Sequence, residues 1–438
     1  VIIGSLLLRL ASHATGQMFQ LYLGDINAIH YSLSRETRGL ITASFFVSEL
    51  LGALAFGALS DRYGRRFFIL LGPILGAIGV QLTSLTVVLW LLVITRLFEG
   101  LSTASSVPST LSYISEATVG RPYLRARVVG LFELTLVGGI ALGSVVSGYL
   151  WQYFGQAKTV AGIELTSPAF TLNALIYVAS LAVFAWGLRD IRRRPKTVKA
   201  VNGLSRFAHY RLVLKSPSVW KFAPAWISVF SLIGMWTNVS TDLFTGREHF
   251  RGQLLTGSIS PVAFGNGQAA LATFFAAGIF GWSLVLGRYK KTSVMLLGAF
   301  ALFALFLTVF SINHLQSFDS PLYYVLLGLL LIAVLVLSGF TPAALTYLAD
   351  TTERFTQDRG SIMGLYSVFL GIGQLLGTAV GGYMAEWNGI DGLLFGSAIF
   401  TGIAGLSLLA IRRSEPQPAS AAAPVPQEAP QDAVLKRE

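Results

Sequence analysis

Stretches of about twenty mostly apolar residues recur twelve times along this chain, separated by short charged connections. The stretches fall near 1–24, 38–60, 67–87, 89–115, 127–154, 168–188, 219–243, 263–286, 293–312, 322–349, 361–385 and 391–411. A run of that length matches the hydrocarbon core of a bilayer when helical, and a helix satisfies every backbone polar group within itself. The pattern therefore predicts an all-α integral membrane protein with twelve transmembrane helices. Charged residues make up 12% of the chain, about half the usual share for a soluble domain. Cysteine is absent, which excludes disulfides, thiol catalysis and thiolate metal sites. The five histidines (His13, His30, His209, His249, His314) have no metal-ligand spacing, and no metal is expected.

The net charge of +11 follows the spans. Twenty-five Lys and Arg residues fall on alternate connections and the C-terminal segment, and five (Arg35, Arg38, Lys158, Arg247, Arg251) on the opposite side. Arg9 and Arg96 lie within spans. Positive charge is retained on the cytoplasmic side, so both termini are expected there, in an inner or plasma membrane. The basic excess then reflects topology, and nucleic acid is not an expected partner. The first 24 residues read as a span and not a signal peptide, because Arg9 and His13 interrupt the apolar run. A basic connection at 190–218 divides the spans six and six. The expected organisation is a six-helix bundle at 1–189, a cytoplasmic loop at 190–218, a second bundle at 219–413 and a disordered cytoplasmic tail at 414–438.

The two bundles share sequence at an offset of 234 residues. Gly130, Gly139, Gly143, Gly148 and Tyr149 correspond to Gly364, Gly373, Gly377, Gly382 and Tyr383. Arg125 matches Arg359, and Pro108, Tyr113 and Glu116 match Pro342, Tyr347 and Asp350. Spans four and five thus repeat as spans ten and eleven, giving two pseudo-symmetric halves that can rock on one another. The glycines of spans five and eleven are expected to let helices pack closely.

After span two comes Gly57-Ala58-Leu59-Ser60-Asp61-Arg62-Tyr63-Gly64-Arg65-Arg66. It closely resembles the G-x-L-x-D-R-x-G-R-R loop of the major facilitator superfamily. The resemblance implies that fold and a gating role for Gly57, Asp61, Arg62, Gly64, Arg65 and Arg66. In span four, Arg96-Leu97-Phe98-Glu99-Gly100 is similar to the family's R-x-x-Q-G segment, with Glu for Gln. The family's arginine there is often linked to proton coupling, and the alternative is an ion pair between helices. Span five resembles the family's antiporter motif, G-x8-G-x3-G-P-x2-G-G, but Ser144 stands in place of Pro and Ser147 in place of Gly.

In that fold spans one, four, seven and ten line the central cavity. Span one carries a polar stripe of Arg9, His13, Gln17 and Gln20. Span four carries Arg96, Glu99 and Thr103, and span seven carries Ser231, Asn238 and Asp242 beside Trp226. Glu49 and Glu133 add carboxylates in spans two and five. Ionisable residues inside a membrane are costly and commonly functional. Glu49, Arg96, Glu99 and Glu133 are the candidates for proton coupling, and the remaining polar residues with Trp226 are candidates for the substrate wall. The expected function is secondary transport of a small solute by a monomer, with no cofactor, driven by a proton gradient and directed to efflux of an amphipathic compound. The alternatives are import or facilitated entry of an organic anion or nutrient, or a receptor or scramblase on the same fold. No nucleophile–base constellation or phosphate loop is present, so an enzyme is not expected.

Overall fold

The computed structural model describes residues 1–29, 31–160, 163–188, 217–246, 248–353 and 359–414. The sequence-predicted central loop at 190–218 and the tail after Ser414 lie outside the described residues, apart from the first residues of a helix at 217. Nearly everything described is helical. The first half runs α1 (Ile2–Ile29), α2 (Arg35–Tyr63), α3 (Arg65–Thr83), α4 (Leu89–Ala117), α5 (Pro122–Phe154) and α6 (Pro168–Gly187). A small antiparallel hairpin, β1 (Lys158–Val160) with β2 (Ile163–Leu165), joins α5 to α6. The second half runs α7 (Pro217–Thr245), α8 (Pro261–Val285), α9 (Lys291–Asn313), α10 (Pro321–Leu337), α11 (Phe340–Glu353) and α12 (Arg359–Ser414).

Nine stretches among the described residues are long and apolar enough to cross a membrane. The last, Val368–Arg413, turns back on itself at Asn388 and Gly389, where the backbone leaves the helical region. After the turn, Gly392 and Gly396 pack against Met384. α12 therefore holds spans eleven and twelve. α1 and α4 fall short of the same apolarity because their polar stripes dilute it, and they complete the twelve. Span ten departs from the single helix expected: it breaks at Ser338–Gly339 into α10 and α11. The ring of Trp282 leaves no room for a side chain at Gly339, and its Nε1 donates to the Leu335 carbonyl at 2.9 Å. The carbonyl freed by the break is thus satisfied inside the bilayer, where water cannot do it.

The buried cores keep to the halves. Met18, Phe19, Leu23, Leu92 and Tyr177 centre one core, with a smaller one around Ile69, Phe184 and Leu188. Phe222, Met295, Ala343 and Leu408 centre a third, and Leu232, Met235 and Leu393 a fourth. No cluster mixes residues from before 189 with residues from after 216.

The matched glycines place the same helix pairs together in each half. A Cβ on Gly139 or Gly143 would collide with α1 at Arg9, Leu10 and His13. Their counterparts Gly373 and Gly377 meet α7 at Ile227, Phe230 and Ser231. The next pair is the contact between halves: Gly148 lies on Pro261 and Val262 of α8, and Gly382 lies on Arg35, Glu36 and Gly39 of α2. Gly130 stands clear of any neighbour, and Gly364 lies among residues whose surroundings are not described.

Candidate functional site

The halves meet along two seams, α2 on α12 and α5 on α8, with α1 against α7 between them. The described contacts lie towards the end that carries the α1–α2 connection. The α2–α12 seam runs from Gly39 on Gly382 to Leu50 beside Gly371, about 16 Å at the helical rise per residue. Two polar systems close this end.

The outer system is ionic. Ser34 caps α2 by accepting from the Thr37 amide at 3.2 Å, which sets Arg35 and Arg38 one turn apart on the first turn of the helix. Both arginines are buried and reach across to the second half. Arg38 Nη1 donates to Asp242 Oδ2 at 2.7 Å, and Arg35 Nε stands 3.7 Å from the same oxygen. Arg35 Nη2 pairs with Glu248 at 2.6 Å, and Arg38 Nη2 lies 3.4 Å from the other oxygen of that carboxylate. The Arg35 amide donates to Glu386 Oε2 at 2.6 Å, and the Phe250 ring lies 4.8 Å from the Arg35 guanidinium. A cleft of about 390 Å³ opens beside this network, lined by Asp25, Arg38, Asp242 and Glu248 among others.

The inner system is neutral. Ser144 Oγ donates to the carbonyl of Ile140 at 2.8 Å and lies 3.0 Å from His13 Nε2. It accepts from Gln17 Nε2 at 3.1 Å and approaches Gln268 Oε1 at 3.1 Å. Gln17 also donates to Gln268 across the halves. Ser147 donates to Gln17 Oε1 at 2.5 Å. The two serines that depart from the antiporter motif thus supply hydroxyls that join α1, α5 and α8, an arrangement that Pro and Gly could not make.

Arg96 and Glu99 form an ion pair one helical turn apart on α4. The pair is enclosed within the first half. The Arg96 guanidinium lies between the rings of Phe19 and Phe45, 4.8 and 4.9 Å from their centroids. Glu99 Oε1 and Arg96 Nε are buried without a hydrogen-bond partner. Glu49 is half-buried on α2, with its backbone beside Gly100 of α4. Thr103 is half-buried one turn beyond Glu99. Glu133 is exposed on α5, close enough to Arg9 for their charges to interact. Arg9 itself sits over the Phe132 ring at 4.4 Å and lies 3.4 Å from its carbonyl.

The remaining wall candidates are tied into helix contacts. Gln20 donates to Thr42 at 2.7 Å, joining α1 to α2. Trp226 is packed in the core of the second half against Phe222 and Phe230, and Ser231 is covered by Gly377 and bonds Ile227 at 2.9 Å. Both sit in packed interior, where the small residues of α12 draw this face of α7 inward. Asn238 donates to Gly234 and Thr378, at 3.0 and 3.2 Å. Asp242 lies at the ionic closure and not deep in the bundle, since its place near the end of α7 aligns it with the start of α2.

At the opposite end, Gly64 links α2 directly to α3 with φ of 108°, a conformation glycine adopts without strain. Arg65 donates to Ser60 at 2.7 Å and pairs with Glu116 of α4 at 3.2 Å, within the first half. Arg62 lies 5.4 Å from the Tyr63 ring, Arg66 is partnered, and Gly57 has open space beside it. The side chain of Asp61 lies outside the described residues. Sequence reasoning missed Gln268, Arg35, Arg38 and Glu248 as a group. The available signals were the Arg35/Arg38 spacing and the two serines that break the motif.

Two six-helix bundles that touch along two related seams make this a multi-pass membrane protein, and its family and relatives make it a transporter and not an enzyme. The chain belongs to the Major Facilitator Superfamily, whose model matches residues 1–265 and 248–435. It is 24% identical over 380 residues to an MFS-type transporter of Methanocaldococcus jannaschii, covering 86% of this chain and 89% of that one. It is 22% identical over 377 residues to multidrug resistance protein 1 of Bacillus subtilis, covering 82% and 83%. A crystal structure of a bacterial homologue of the human lysosomal transporter Spinster, inward-facing and occupied, superposes with a TM-score of 0.70 at 16% identity, covering 95% of this chain and 97% of that one.

Proposed function

We propose that this chain is a proton-coupled exporter of an amphipathic small molecule, working as a monomer in the inner or plasma membrane with both termini cytoplasmic. The observation that carries the reading is where the described residues join the halves: the ionic and neutral systems both lie at the α1–α2 end. The excess of Lys and Arg on the other end makes the closed end the outer one. The molecule described is then the inward-facing member of an alternating-access pair. No cofactor is needed, since the proton gradient supplies the energy.

The ionisable groups within the spans concentrate in the first half. Glu99 shares its charge with Arg96 in a dry setting, and Glu133 stands exposed on α5 within range of the Arg9 charge. A carboxylate whose partner or hydration changes between states can take a proton in one and give it up in the other. The relationship to a multidrug resistance protein supports efflux of an amphipathic compound. Import of a small organic anion is the second reading, favoured by the half-buried guanidinium of Arg9.

The test is proton movement in reconstituted vesicles, with lipophilic cations, sugars and organic anions offered against an imposed pH gradient. The expected result is proton flux driven by lipophilic solutes and lost in Glu99→Gln or Glu133→Gln. Flux driven only by anions would select the second reading. Solute flux indifferent to pH and to both substitutions would end the proton-coupled reading.

A further inference from the structure

We infer that Asp242 is a proton-binding site at the outer closure, and that one proton taken up there releases the two halves. The inference rests on the outward orientation proposed above and adds a site of coupling to it. Asp242 is the carboxylate both arginines share: Arg38 Nη1 is 2.7 Å and Arg35 Nε 3.7 Å from its Oδ2. Arginine does not lose its proton in proteins, so only the carboxylates of this bridge can discharge it. Glu248 also touches both arginines, but half of its side chain is in solvent, where an ion pair contributes little. The side chain of Asp242 is only 12% exposed.

The groups facing Asp242 come from three elements. Arg35 and Arg38 reach it from α2, Asp25 from α1, and Glu248 from the loop after α7. His249, next in that loop, is turned away with its Nδ1 2.8 Å from the Thr256 carbonyl. Arg247 lies outside the described residues. The α1 backbone is in close contact, for a Cβ on Gly24 would stand 2.6 Å from Asp242 Oδ1.

The step is a simple protonation. A hydronium ion reaching the cleft gives its proton to the carboxylate, leaving water and a neutral acid. The acid keeps a hydrogen bond at most, while the two guanidiniums lose their buried counter-ion and share only the half-exposed carboxylate of Glu248. The solvent-exposed Glu248 pairs, the Arg35 amide bond to Glu386 and the neutral bonds of Gln17, Ser144 and Gln268 are then left to hold the closure, and exposed ion pairs and interhelical hydrogen bonds are individually weak. Acid outside therefore favours an open outer end, and proton binding and opening are linked reciprocally.

The chain has no cysteine, so paired spin labels can be placed without background. Thr159→Cys on β1 and Ser258→Cys before α8 are exposed positions in opposite halves at this end. Interspin distances would be measured in nanodiscs across mildly alkaline to mildly acidic pH. The expected result is a short distance at alkaline pH that shifts to a longer one on acidification, with about a tenfold change in the closed-to-open ratio. Asp242→Asn should populate the longer distance throughout, Asp242→Glu should retain a titration with a displaced midpoint, and His249→Gln should behave as the parent. A parent distance that ignores pH, or an Asp242→Asn protein that titrates like the parent, would overturn the inference. Vesicle transport without the distance change removes this site alone, whereas the distance change without proton flux removes the coupled-transport reading alone.

Discussion

At the scale of single residues, Arg96 and Glu99 are the sharpest case. Their pair is closed inside one bundle, against two phenyl rings, with one carboxylate oxygen and one guanidinium nitrogen unbonded. A purely structural pair would be expected to satisfy more of its polar atoms, because each buried orphan costs about 1–3 kcal/mol. Removing one partner strands the other charge. Arg96→Met should therefore lower stability by about 3–5 kcal/mol, while the double change Arg96→Met with Glu99→Leu should recover most of that loss. Thermal unfolding of the purified proteins in detergent measures both. If the pair is functional, the double variant folds but carries no coupled proton. A folded double variant that still couples would reduce the pair to packing.

At the scale of helices, two kinds of glycine do different work on the same two elements. Gly139, Gly143, Gly373 and Gly377 seat α5 on α1 and α12 on α7 within each half, whereas Gly148 and Gly382 seat α5 on α8 and α12 on α2 between halves. Overpacking costs about 1–3 kcal/mol at either kind of site, but the cost falls on different equilibria. Gly148→Val and Gly382→Val should leave the bundles folded and shift the outer end towards open by about tenfold or more, read as the longer interspin distance between Thr159→Cys and Ser258→Cys. Gly139→Val and Gly377→Val should instead lower the unfolding temperature. If all four variants lowered stability alike with no change in that distance, the distinction between intra-half and inter-half glycines would fail. The 234-residue repeat made the likeness of the two halves and the close packing at their glycines readable in advance, but not which helix each glycine meets. It did not reveal the break at Ser338–Gly339, because nothing in the Leu- and Val-rich run marks where Trp282 will press in from α8.

At the scale of the molecule, the sequence spoke through length and charge, and was silent about which face of each helix turned inward. Apolar runs of bilayer length identified the spans, since lipid imposes that length on any helix that crosses it. The polar stripes marked α1, α4 and α7 but not what their residues meet: Gln17 finds Gln268 of α8, and Asp242 finds Arg35 and Arg38 of α2, partners more than 200 residues away. Such pairings depend on how the halves dock, which periodicity within one helix does not encode. Orientation rests on the asymmetry of basic residues alone, and it decides whether the closed end is outer or inner. Single cysteines test it directly in this cysteine-free chain. Thr159→Cys, at the closed end, should react with a membrane-impermeant maleimide in intact cells. Lys290→Cys, exposed beyond α8 at the basic end, should react only after permeabilisation. The reverse pattern would invert the molecule: the closure would face the cytoplasm, Asp242 would sample the internal pH, and the conformer described would be outward-facing.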